Sequence, residues 1–390
     1  MKLLKRIGWT ILVLLVIGAL ALILCIQGLK PDYEGQVAMP NLDAPVDVYY
    51  DQYGVPHIYA DTEREAFKAL GYVHAQDRLW QMEVLRRVAS GGLSEVFGED
   101  LINTDRFFLA LDIDEASKRT LAKLDKDDKG IQLCEAYLEG VNQFVEEGPA
   151  PVEFYLTGIE KRPFTLTDVY NSLGYMAFSF AMAHKTDPLI TNIGDTLGEA
   201  YIADLGLYSS GDTEQIHNHF DRPMDSVANG VTAMVHQALE GLSLPLFEGS
   251  NSWVIAPSKT KNGQVIFAND PHIGFAQPSV WYEAHVVTPS YEKYGYHLAG
   301  IPFPLLGHDR RMAYGMTMFE NDDIDFYFEE FHPTDSTKYR DGDSWKSFQN
   351  ITKTIKVKGA PDVEFTYKKT KHGPVLNGIA DQITDERPIS

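Results

Sequence analysis

The sequence predicts an α+β fold: a mainly helical first half, a mainly antiparallel β second half, and a transmembrane helix ahead of both. Three observations predict it. Good helix formers run from Thr62 to Ser90 behind a capping box made by Thr62 and Glu65. Short alternating runs separated by turn residues dominate after residue 250. An apolar stretch from Ile7 to Leu29 carries no charge. With 390 residues and 44% hydrophobic content the chain can bury a sizeable core and divide into at least two units. Its 55 acidic against 34 basic residues, a net charge of -21, set up a field that repels a polyphosphate backbone, so nucleic acid is not an expected partner. Two cysteines, Cys25 and Cys134, make neither a thiolate metal site nor a disulfide framework.

In chain order, Lys2, Lys5 and Arg6 form a basic tip (1–6) before the apolar segment (7–29). As a helix that segment spans roughly 35 Å, enough for a bilayer core. It is long for a signal-peptide core and lacks an A-x-A exit, so it reads as an uncleaved membrane anchor rather than a signal peptide. The basic tip is then cytoplasmic, and the catalytic region extracytoplasmic, periplasmic or at the cell surface. Residues 30–222 form a mainly helical region. It opens with a hairpin, Pro45 to Tyr50 and Val55 to Ala60, and adds helices at 62–90, 129–147 and 166–183. Gly71 is the weak position of the first of these helices. Residues 223–249, small and weakly patterned, read as a spacer or linker. Residues 250–390 are β-rich: 252–256 and 264–268 pair through Asn262-Gly263, followed by strand-like runs at 280–288, 294–300, 312–317 and 325–331. The chain stops at Ser390 without a helix stop or tail signature, so it reads as truncated at the C-terminus.

Glu248-Gly249-Ser250-Asn251-Ser252-Trp253 carries the most chemistry. In an uncut chain Ser250 is an ordinary hydroxyl, and by pattern alone this is a Gly-Ser turn before a strand, with no G-x-S-x-G elbow around it. A cut between Gly249 and Ser250 changes that. It creates an α-amine of ordinary pKa about 7.7–8.0 on the same residue as the hydroxyl, so one residue supplies both nucleophile and base. Gly249, without a Cβ, is able to take the strained backbone an N-to-O acyl shift requires.

This segment resembles the start of the catalytic β chain in the penicillin acylase (penicillin amidase) family of N-terminal-nucleophile hydrolases. The resemblance extends through Gly54-Val55-Pro56-His57-Ile58, Gly71 to Glu83, Gly91 to Glu95, Asn269-Asp270-Pro271-His272, Gly307-His308-Asp309 and Asn321 to Asp325, in order from Asp47 to Phe331. It implies an N-terminal-nucleophile αββα sandwich, a hydrolase of linear amides matured by autoproteolysis from a zymogen, and α and β chains that stay partnered. By position Ser250 resembles the nucleophile, and His272 the residue supporting its amine and hydroxyl. The backbone N–H of Met318 matches an oxyanion donor, and Asn251 helps orient the nucleophile. The acyl pocket falls on Met176, Phe180, Ile273, Leu306 and the Met318 side chain, all apolar, which suits a hydrophobic acyl group. Calcium, with no organic cofactor, is implied through Asp322, the carbonyl of Ile324, Asp325 and Asp187. The last stands beside Thr186, where the family has an acidic ligand. Without the resemblance, Asp322, Asp323 and Asp325 read as a solvated acidic loop. A second oxyanion donor, an asparagine, would fall beyond Ser390.

Other candidates are weaker. His217 and His219 lack a third ligand at metal spacing, and His74 and Asp77, neighbours on one helix face, read as anchors of that helix. The substrate class stays open between penicillin-type amides, cephalosporin side chains and acyl-homoserine lactones. Two other classes also stay open: a catalytically silent, membrane-anchored binding module, and a metal-dependent hydrolase, although no H-E-x-x-H occurs.

Overall fold

The computed structural model describes residues 2–181, 183–206, 225–240, 247–318, 324–379, 383 and 388–390. The helices are α1 Lys2–Gly28, α2 Glu63–Ser90, α3 Ser94–Phe97, α4 Ile102–Leu111, α5 Ile113–Leu121, α6 Lys129–Glu147, α7 Val152–Thr157, α8 Leu166–Phe180, α9 Ala183–Leu197, α10 Glu199–Asp204 and α11 Asp225–Glu240. The strands are β1 Asp47–Tyr50, β2 Pro56–Tyr59, β3 Phe247–Ile255, β4 Ile266–Ile273, β5 Trp281–Val287, β6 Glu292–Leu298, β7 Leu306–His308, β8 Ala313–Tyr314, β9 Phe331–His332, β10 Asp335–Asp341, β11 Ser344–Ser347, β12 Gln349–Ile355 and β13 Val363–Lys369. The helix-then-strand order of an α+β chain holds. The chain forms two compact units, the first from residues 1–83, 124–166 and 281–314, the second from 84–123, 167–280 and 315–390.

The anchor expected at 7–29 needs correcting. Helix α1 forms there, but among the described residues no helix is long and apolar enough to cross a membrane. The transmembrane part of the expected fold, and the cytoplasmic tip and extracytoplasmic catalytic region that follow from it, are therefore not supported.

In the first unit, six strands run in the order β1-β2-β5-β6-β7-β8, with β2 and β5 parallel and the remaining pairs antiparallel. The Thr62–Glu65 capping box forms reciprocally: Glu65 N–H donates to Thr62 Oγ1 at 3.3 Å and Thr62 N–H donates to Glu65 Oε2 at 3.2 Å. Helix α2 lies on the sheet through His74, whose ring stacks on Tyr282 at 4.1 Å, and through Phe67 against Tyr291 and Phe303. Tyr282 also donates its hydroxyl to Asp77 Oδ2 at 3.0 Å, so His74 and Asp77 do anchor the helix. Helix α6, capped by Asp128 accepting from Gly130 N–H and Ile131 N–H, packs against α2.

Two buried imidazoles in this unit predict an acid sensitivity. Burial pushes His74 well below its ordinary value, helped by neighbouring His297 and Arg78, and pushes His297 down to about 4. An unfolded chain protonates both near pH 6.5, while the fold keeps them neutral. Stability is therefore full above pH 6.5 and falls as pH drops from there toward 4. At 1.36 kcal/mol per pH unit His297 alone removes about 2 kcal/mol by pH 5. Asp77 and Asp105, raised by burial, work in the opposite sense as pH falls through their raised values. Urea unfolding at pH 7.5, 6 and 5 checks this, and a midpoint that stays flat across the range contradicts it.

The second unit has its core where α4, α8, α11 and the β12–β13 hairpin meet, with Phe107, Phe108, Tyr175, Ile355, Phe365 and Tyr367 all buried. Residues 225–240, expected as part of a spacer, instead form helix α11. Its Val231, Met234, Val235, Ala238 and Leu239 are buried in that core. Their spacing of i, i+3, i+4, i+7 and i+8 is an amphipathic stripe, which small neighbours such as Gly230 and Ala233 obscure in the sequence.

Candidate active site

Ser250 and its neighbours sit on β3, which pairs antiparallel with β4: Gly249 lies opposite His272, Ser250 opposite Pro271, Asn251 opposite Asp270 and Ser252 opposite Asn269. The Asn-Gly turn forms as expected, with Gly263 at φ +65°. Because side chains alternate along a strand, the ribbon has two distinct faces here. One carries Gly249, Asn251, Asp270 and His272. The other carries Ser250, Ser252, Asn269 and Pro271. Proline has no N–H, so the Ser250–Pro271 pair exchanges at most one backbone hydrogen bond.

On the Ser250 face, the backbone N–H of Met318 donates to Ser250 Oγ at 2.6 Å. A donor this close to the attacking oxygen stands beside the position where a carbonyl oxygen takes on negative charge during acyl transfer. A side chain is not needed for this, only the amide. Asn269 shares this face and reaches the segment before Met318, donating to Met316 O at 2.9 Å.

The opposite face holds a polar chain. His272 Nε2 lies 3.1 Å from Asp270 Oδ2 and 3.3 Å from Asn251 Nδ2. One ring nitrogen cannot donate to the carboxylate and accept from the amide at once. Because the carboxylate only accepts, we assign the proton to Nε2 and turn the Asn251 amide so that its oxygen faces it. That leaves Nδ1 as an acceptor on the side of Gly249, where a Cβ built on the glycine would lie 3.5 Å from it. The structure thus brings His272 to Asn251 and to Gly249 at the proposed cut, and brings Met318 N–H to the Ser250 hydroxyl. Gly249 itself does not occupy the left-handed region. It follows a β-bulge between Phe247 and Gly249, so the irregularity there is one of register, not of φ.

Of the residues assigned to the acyl pocket, Met176 and Phe180 lie half-buried at the end of α8, Ile273 half-buried at the end of β4, and Met318 beside Ser250. Leu306 is buried on β7 of the first unit. Asp322, Asp323, His217 and His219 lie outside the described residues. Among those described, Asp325 is exposed and accepts from Tyr327 Oη at 3.3 Å, and Asp187 accepts from its neighbour Thr186 at 3.4 Å. No group of three His, Cys, Asp or Glu side chains able to hold a metal occurs among the described residues. Cys134 is buried, and burial pushes its thiol up to about 12, which makes it inert.

Asn269 and Asp270 have no role expected from the sequence, although both belong to a run that carries the family resemblance. The available signal was the pairing itself: with Pro271 set opposite Ser250, alternation puts Asn269 on the nucleophile's face and Asp270 with His272.

The family model for penicillin amidase matches residues 45–388. Penicillin acylase 2 proenzyme of Pseudomonas sp. (strain SE83) is 31% identical over 364 residues, covering 90% of this chain and 46% of that protein. An acyl-homoserine lactone acylase, QuiP, of Pseudomonas aeruginosa is 27% identical, covering 89% of this chain and 42% of that one. The chain thus spans less than half the length of these curated relatives. A solved structure of a thermostable penicillin G acylase from Alcaligenes faecalis superposes with a TM-score of 0.33 at 24% identity, over 37% of this chain and 25% of that one, too loosely to carry an argument. With the family model matched across nearly the whole chain, the chain belongs to the penicillin amidase family.

Proposed function

We propose that the protein is an amidohydrolase of the penicillin acylase type, which cleaves a linear amide between a hydrophobic acyl group and an amine through an acyl-enzyme on Ser250. The Met318 N–H poised on Ser250 Oγ at 2.6 Å is the observation that supports this most directly. Maturation begins when the Ser250 hydroxyl adds to the carbonyl carbon of Gly249. The C–N bond breaks, the Ser250 nitrogen gains the proton as a free amine, and an ester remains. Water hydrolyses the ester, leaving Gly249 with a carboxylate and Ser250 with both amine and hydroxyl. In turnover the amine takes the hydroxyl proton as Oγ adds to the substrate carbonyl. Met318 N–H donates to the oxyanion, and the proton passes to the departing amine. Water then releases the acid. His272, with Nδ1 as an acceptor beside Gly249, is suited to hold the new amine rather than the hydroxyl. Calcium at Asp322, Ile324, Asp325 and Asp187 stays a structural proposal outside these steps, tested by calorimetric titration of calcium into the complete protein.

Met176, Phe180, Ile273 and Met318 offer the acyl group apolar contacts and no charge. Ile273 presents no ring face, so a phenyl ring gains no stacking there, worth about 0.5–1.5 kcal/mol, while an alkyl chain gains about 0.8 kcal/mol per buried methylene. A second reading, an acyl-homoserine lactone as substrate, is favoured by the relatives that carry that name. The complete protein is given acyl amides from acetyl to dodecanoyl, with phenylacetyl alongside, on both an aminopenicillanate and a homoserine lactone leaving group. We expect kcat/KM to climb roughly fourfold per methylene until the pocket fills. Phenylacetyl exceeding every alkyl group by more than roughly tenfold sinks the pocket assignment, and the better leaving group decides between the two readings.

A further inference from the structure

Ser250 and the Met318 N–H are 68 residues apart in the sequence, and among the described residues no strand pairing joins them, since β3 pairs there with β4 alone and residues 315–318 belong to no strand. Something else must hold a 2.6 Å contact between two loosely connected, partly exposed segments. Asn269 spans them. Its Nδ2 donates to the carbonyl of Asn251, next to Ser250, at 3.2 Å and to the carbonyl of Met316 at 2.9 Å. Its Oδ1 accepts from Met316 N–H at 3.2 Å. The carboxamide therefore engages Met316 through both backbone groups, as a neighbouring strand would, while its second N–H grips β3. Gly315 makes this possible: a Cβ there would lie 2.2 Å from Oδ1 and 2.6 Å from Cγ of Asn269.

We propose that Asn269 is the positioning residue of this site, clamping the strand that bears Ser250 to the segment that bears the Met318 N–H, with Gly315 kept bare to receive its carboxamide. The inference rests on the acyl-transfer reading above, in which that N–H stabilises the oxyanion. Asn269 acts through Met318 and touches no substrate atom.

Asn269→Asp separates this role from simple space filling. The variant is isosteric and still accepts from Met316 N–H, but it turns both donated bonds into a carboxylate facing two carbonyl oxygens. In the complete protein we expect Asn269→Asp and Asn269→Ala to lower kcat about as much as losing an oxyanion donor, roughly 100- to 1000-fold, with KM changed less than about threefold. Gly315→Ala should match them. The Gly315→Ala/Asn269→Ala double variant should be no slower than the slower single, since both break one clamp. Asn269→Asp retaining kcat within about threefold, or losses that multiply in the double variant, overturns the proposal. Amide hydrogen exchange keeps the two readings apart. If the complete parent protein hydrolyses no amide, the acyl-transfer reading fails. The clamp is then judged by whether the Met316 and Met318 amides exchange at least about tenfold faster in Asn269→Ala, with unchanged exchange overturning it.

Discussion

Ser250→Ala in the complete protein should remain one uncut chain and lose amide hydrolysis by about a millionfold, the scale seen when a sole nucleophile is removed. Both losses follow from one oxygen. In the proposed mechanism the hydroxyl that attacks Gly249 during maturation is the same hydroxyl that accepts the acyl group in turnover, and the amine that activates it does not exist until the first attack has succeeded. Loss of fold does not explain the result in advance: Ser250 is half-buried on a two-stranded ribbon, and alanine removes one hydrogen bond, from Met318 N–H, worth about 1 kcal/mol. Intact mass, thermal midpoint and steady-state rate are measured on the same preparation. An Ser250→Ala protein that is still cut after Gly249, or that hydrolyses the amide at the parent rate, assigns the chemistry to another group.

Much of the scaffold for that chemistry is legible in the sequence, and the exceptions have physical reasons. Helices α2 and α6 announce themselves through caps, Thr62 with Glu65 at one start and Gly148-Pro149 at the other end, because capping is local. The β3–β4 ribbon is readable from Asn262-Gly263 for the same reason. Helix α11 escapes because its stripe is built partly from alanine and bounded by glycine, so its burial is decided by the core it joins, which also holds Phe107 and Tyr175, rather than by its own composition. Strands β10 and β11 escape although Asp341-Gly342 marks their turn, their exposed faces being too polar to alternate clearly. Within the site, Ser250, His272 and Met318 are reached through family resemblance. The Asn269 clamp is not, because a side chain that bonds backbone 47 residues away leaves no period in the sequence. Gly71 is the plainest misreading: a weak position by helix propensity, it turns out to be the point where α2 meets α6.

Gly140→Ala is expected to destabilise the first unit by about 3 kcal/mol, and Gly71→Ala by a similar amount. Helix propensity argues the other way, since alanine gains about 1 kcal/mol over glycine at an open helical position. Packing reverses the sign. A Cβ on Gly140 would lie 1.8 Å from the Lys68 carbonyl oxygen and 2.8 Å from Tyr72 N, and one on Gly71 would lie 1.9 Å from the Tyr137 carbonyl oxygen. Each glycine thus faces backbone of the other helix, which cannot turn aside as a flexible side chain would. Accommodating one methyl means moving α2 and α6 apart by about 1.5 Å, enough to lengthen the 2.9 Å hydrogen bond between Tyr137 Oη and His74 Nδ1 and to loosen the edge contact of Tyr72 on Phe144. Since a single separation makes room for both methyls, the double variant should lose clearly less than the sum of the singles. Urea denaturation of the four proteins measures this, and a Gly140→Ala protein more stable than its parent places the two helices farther apart than the crossing described here.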